Sequence, residues 1–183
     1  MTQFSVKPNT YIYLTVLLLI LPIKWLFAWI TAILFHEFCH WIAVKICGGE
    51  ILHFKIGLGG AQMQCTNMPE KCRLFAILCG PIGGFALTCL GRWIPRIALC
   101  SFFLSIYILL PMYPFDGGLA LRILLKSDSA FDLIQKIILT LIVLLTLYIA
   151  FFLRLGVLPL AVALEICLKN RNYPCKESVC GVQ

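Results

Sequence analysis

The sequence predicts an all-α polytopic membrane protein with about six transmembrane segments and a small β-hairpin after the second. The first observation behind this is composition: 61% of the 183 residues are hydrophobic, only 13% are charged, and the mean hydropathy is +0.96. Soluble domains carry about half apolar and about a quarter charged residues. The excess here is more than a soluble core of 20.6 kDa could bury, and the bilayer is its natural solvent. The second observation is that the apolar residues fall into six runs separated by Pro, Gly and single charges. The third is a switch to period two between the second and third runs.

The first run, residues 11–23, ends at Pro22, which reads as a turn or break. It is short for a span and must tilt or borrow its flanks. The second, residues 25–46, is closed by Gly48-Gly49, glycines being favoured just past a helix end. Then Leu52, Phe54, Ile56 and Leu58 alternate with His53, Lys55 and Gly57, and Gln62-Met63-Gln64-Cys65 alternates again after Gly59-Gly60. Period two on both sides of a Gly-Gly turn predicts a hairpin. An isolated hairpin is marginal in water, so this one is expected to lean on the helices or lie at the membrane surface.

Residues 74–90 form the third run, and Gly80-Pro81-Ile82-Gly83-Gly84 in its middle is expected to kink or break the helix. The fourth, residues 94–110, ends in a Pro- and Gly-rich loop over residues 111–118, followed by a short helix from Leu119. Residues 131–153 and 155–168 complete the six. The expected organisation is one membrane domain, residues 1–168, and a polar cytoplasmic tail, residues 169–183.

Net charge is +7, from 15 basic and 8 acidic side chains. The bases are scattered singly between apolar runs, which is not a nucleic-acid footprint. Six spans place Lys24, Arg92, Arg96 and Arg154 on one side and the other eleven bases opposite. The positive-inside rule then puts both termini in the cytoplasm. Most of the ten cysteines lie inside apolar runs, where free Cys serves as a small hydrophobe, and no pair has the C-x2-C spacing of a zinc site. No cleavable signal is evident.

The chemistry lies in His36-Glu37-Phe38-Cys39-His40, H-E-x-x-H inside the second run. Residues i and i+4 share a helix face, so two imidazoles can hold one Zn²⁺ at roughly 2.0–2.1 Å. Glu37 stands about 100° around the helix, suited to a general base and not to an equivalent ligand. Composition yields on the order of 0.001 chance matches to this pattern, and polar groups at membrane depth are costly unless partnered. The alternative is a buried polar cluster satisfied by other helices. A catalytic zinc needs a third protein ligand. Asp116, in Pro-Phe-Asp-Gly-Gly, is the candidate; helix capping is the other reading of that residue, and Glu165 in the last run is the rival ligand.

Together, His36-Glu37-x-x-His40, Gly80-Pro81 and Leu110-Pro111-Met112-Tyr113-Pro114-Phe115-Asp116-Gly117-Gly118 resemble the site-2 protease family of intramembrane metalloproteases. The likeness spans about residues 8–126 and is greatest to the bacterial branch that processes a sporulation sigma-factor precursor. It implies zinc held by His36, His40 and Asp116, catalysis by Glu37, and membrane-bound protein substrates. Substrate contact is expected at Gly80, Pro81 and Met63. Two positions depart from the family pattern, which often has Asn where this chain has Ile108 and Gly83-Gly84. These departures favour the alternative of a non-catalytic protein that binds transmembrane clients. A metal transporter is the other alternative, though such proteins place polar residues on several spans. Without an evident regulatory domain, a regulatory membrane protein is an expected partner.

Overall fold

The computed structural model describes residues 3–6, 22–57, 60–65, 68–112, 115–125 and 127–152. The runs expected at residues 11–23 and 155–168, and the tail, lie outside or almost outside these residues. The described chain is mostly helical. Residues up to Leu110 form one compact unit and residues from Pro111 another.

In the first unit, helix α1 spans Ile23–Ile46. Pro22 precedes it, and the carbonyl of Pro22 accepts from Trp25 and Leu26 N–H at 2.8 and 3.1 Å. At its far end Gly48 N–H donates to Lys45 O (3.1 Å) and Gly49 N–H to Val44 O (2.9 Å). This is a Schellman close, and it requires the φ of +72° that Gly48 supplies. Strands β1 (Gln3–Val6), β2 (Ile51–Gly57) and β3 (Gly60–Cys65) form a sheet in the order β1-β2-β3. β2 and β3 pair antiparallel with Phe54 opposite Met63, and a register irregularity lies between Ile51 and His53. β1 adds a parallel partner to β2. The sequence analysis held no expectation of this third strand.

Helix α2 spans Glu70–Thr88 and leads through a 3-10 turn, Cys89–Arg92, into α3, Pro95–Ile108. Of the kink or break expected at Gly80-Pro81, the break does not occur: α2 runs through Pro81 as one helix. Proline removes one backbone donor and crowds the preceding turn. Neighbouring helices absorb that cost in membrane proteins, and here Gly80, Pro81 and Gly84 are all buried. Ser101 Oγ on α3 and Thr88 Oγ1 each donate to Gly84 O at 3.0 Å.

Small residues make the helix contacts. Ala28 and Ala32 of α1 pack with Cys100 and Leu104 of α3. Ala43 and Val44 pack with Ala76 of α2 and Cys65 of β3. Large apolar side chains instead face outward, Phe27, Leu34, Ile82 and Phe103 each more than 60% exposed. A surface of this kind belongs against lipid, and small residues are what let membrane helices approach closely.

The second unit contains α4 (Asp116–Leu125) and α5 (Asp128–Phe152). Arg122 of α4 and Asp128 of α5 form an exposed ion pair at 3.4 Å. The segments Ile23–Ile46, Glu70–Arg92 and Asp128–Tyr148 are long and apolar enough to cross a membrane. The chain is thus a membrane protein with three candidate spanning helices among its described residues. α3, at 14 residues, is shorter than a span.

Candidate metal centre

His36, Glu37 and His40 lie in the second half of α1, with four-residue spacing turning both imidazoles toward α2. His36 is buried at 2% exposure; Glu37 and His40 are half-buried. The rings meet edge to face, with centroids 4.6 Å apart and planes at 87°. His40 Nδ1 lies 2.7 Å from the carbonyl oxygen of Ala76 on α2. A carbonyl only accepts, so His40 donates through Nδ1–H, and its Nε2 presents a lone pair. That Nε2 lies 3.0 Å from His36 Nε2.

This geometry passes a test for zinc. Two nitrogens at about 2.05 Å from a tetrahedral ion stand about 3.3 Å apart. The observed separation needs to open by only a few tenths of an ångström. Metal-binding His residues characteristically donate their other N–H to a carbonyl or carboxylate, and His40 already does so.

Gly80 is the surface against which the imidazoles rest. A Cβ at that position would lie inside contact distance of His40 Nε2 and Cε1, and 2.7 Å from His36 Cε1. Three residues on, the space beside Gly83 is taken by Cys39 Sγ, and beside Gly84 by the hydroxyls of Ser101 and Ser105. Ser101 and Ser105 are both 1% exposed. Neither these two serines nor the Ala76 carbonyl is among the residues expected from the sequence. The serines stand four apart in an apolar run, a signal that marks one polar stripe. The Ala76 carbonyl leaves no trace in side-chain identity.

Of the other expected residues, Pro81 is fully buried. Met63 lies in β3 and His53 in β2, while Glu165 lies outside the described residues. Asp116 belongs to the second unit, where it is half-buried and is the first residue of α4. The helix therefore begins three residues before the expected Leu119, and Asp116, Gly117 and Gly118 are not loop. An acid suits the first turn electrostatically. Leu119 N–H donates to Phe115 O at 3.0 Å, and buried Met112 and Phe115 anchor the approach.

The first unit thus presents paired imidazoles and an adjacent carboxylate on a helix long and apolar enough to cross a membrane. No family model matches the chain, and no curated protein matches its sequence. Among solved structures it is similar to the site-2 protease from Methanocaldococcus jannaschii, with a TM-score of 0.70 at 17% identity. The match covers 100% of this chain and 95% of that one. At this identity the likeness shows the fold: the chain folds as a site-2 protease does.

Proposed function

We propose that this protein is an intramembrane zinc metalloprotease that hydrolyses peptide bonds of membrane-bound protein substrates, as in regulated intramembrane proteolysis. The observation that carries the reading is the 3.0 Å pairing of His36 and His40 Nε2 beside Glu37, on a helix able to span the membrane. On this reading His36 and His40 would hold the ion through two ring nitrogens and Asp116, as the motif resemblance implies, would be the third protein ligand that a catalytic zinc needs. Bound there, a zinc ion supplies Lewis acidity, polarising a carbonyl oxygen and making water nucleophilic near neutral pH. Glu37 takes the proton of the attacking water and returns it to the leaving nitrogen. The Ala76 carbonyl holds the His40 ring in the tautomer and orientation that ligation needs.

A helical substrate must be unwound before its peptide bonds are accessible. Strand β3 pairs with β2 on one side, and extended peptide can add to its other edge. Burial of Gly80 and Pro81 supports a spacing role for that pair beside the histidines, which leaves β3 and Met63 as the substrate contact. Proline at Met63 or its neighbour Gln64 is expected to lower cleavage, since alternate N–H groups face the open edge. If the folded variants both cleave at the wild-type rate, edge capture is wrong. The charge distribution favours a site opening toward the cytoplasm with cytoplasmic termini, and the motif resemblance favours a bacterial sporulation substrate and a membrane-protein regulator.

The deciding test is metal content after purification in detergent. Wild type is expected to hold about one zinc per chain, and His40→Ala and Asp116→Ala less than about a tenth of that. Folded wild type that takes up no zinc when offered it overturns the protease reading and leaves the client-binding scaffold. Zinc retained by Asp116→Ala alone moves the third ligand elsewhere.

A further inference from the structure

A groove of about 580 Å³ lies at the end of α1 remote from the histidines, lined by residues of α1 and of the approach to α3. Lys24 lies twelve residues before His36, or about 18 Å along the helix. The groove's volume falls in the range of small-molecule and lipid-chain sites. Its walls are apolar, Phe27, Ala28 and Ile97 among them, and Trp93 stands 76% exposed beside it. Among its described lining residues, Lys24 and Arg96 are the charged ones. Neither makes an ion pair with any described residue.

These cations stand where their helices least favour them. Lys24 is the second residue of α1 and Arg96 the second of α3, and neither helix has an acid in its first turn. The positive helix ends repel cations there and draw an anion in. Arg92, exposed in the turn just before, adds to the same potential. Three of the four bases assigned to the less basic side of the membrane thus belong to this one end of the helices.

We infer that this groove binds an anionic glycerophospholipid. The phosphate sits at the mouth with Lys24 and Arg96, and an acyl chain lies along Phe27, Ala28 and Ile97. Trp93 marks the headgroup level, where indole rings concentrate. Charge complementarity selects the occupant: among the described residues, the lining offers two positive charges and no carboxylate to meet the ammonium of a zwitterionic lipid. The inference does not depend on the proteolytic reading, because its ligand and its readout are separate.

The test measures lipid bound to detergent-purified full chain by native mass spectrometry, with phosphatidylglycerol or phosphatidylcholine supplied. Lys24→Gln/Arg96→Gln is expected to weaken phosphatidylglycerol binding about 30-fold, from two charges at the membrane surface. Phosphatidylcholine binding should stay unchanged. The control, Lys45→Gln/Lys71→Gln, removes the same charge from exposed sites on α1 and α2 away from the groove. Loss confined to the first pair supports the site. Equal loss in both pairs reduces the effect to net charge and overturns it, as does unchanged binding in the first pair. All four positions are exposed, so each variant should elute as wild type does.

Discussion

Glu37→Gln is expected to lower peptide hydrolysis by about 10²–10⁴-fold while leaving zinc content at the wild-type level. Glutamine keeps the volume and the hydrogen-bonding reach of glutamate but cannot accept the proton. Glu37 is half-buried on α1, one residue from His36 and therefore about a quarter-turn around the helix from it. That offset removes it from the ligand face and leaves it within reach of a water attacking beside the imidazoles. The measurement is cleavage of a membrane-inserted reporter in proteoliposomes, paired with zinc analysis of the same preparation. Zinc lost together with activity would make Glu37 a ligand, and activity retained would place the base on another residue.

Gly80→Ala should have the second largest effect, a loss of about 10–100-fold in zinc affinity with the helices still formed. The added methyl collides with His40 Nε2 and Cε1 and crowds His36 Cε1. A long flexible side chain would swing away, but the His40 ring is held at Nδ1 by the Ala76 carbonyl. The ring must give up that bond or α1 and α2 must part, and either change spoils the alignment of the two Nε2 atoms. Gly84→Ala/Ser105→Ala is the matched control one turn along α2. It adds the same methyl group and removes the nearer of the two hydroxyls that group would meet, leaving Ser101 Oγ at 3.3 Å. Zinc affinity in that variant is expected to match wild type. Equal losses in the two variants would show that α2–α3 packing, and not the glycine beside the histidines, sets the affinity.

The long helices were legible because their apolar runs exceed what any soluble element needs, and α1 ends at the glycines that mark its close. His36, Glu37 and His40 were legible because ligation by a helix requires a fixed spacing within a single turn. What lay hidden depends on contacts across the chain. The closeness of Gly80 to the imidazoles joins residues some forty positions apart, and nothing in either segment encodes it alone. Pro81 misled for a related reason: its local effect is to break a helix, and burial between neighbours offsets that effect. The start of α4 was misplaced because two glycines after Asp116 read as loop, although the first-turn acid and the buried Phe115 favour helix. β1 escaped because four residues are too few for period two to stand out.

The length of α3 bears on the lipid around it. Fourteen helical residues rise about 21 Å, against a hydrocarbon thickness of about 30 Å. Were α3 to cross a bilayer, some 9 Å of that depth would have to be met by non-helical backbone next to protein or water, or by lipid drawn inward around the helix. Such hydrophobic mismatch would make the protein sensitive to acyl-chain length, and bilayer thickness would then be a variable in its own right for where this chain resides.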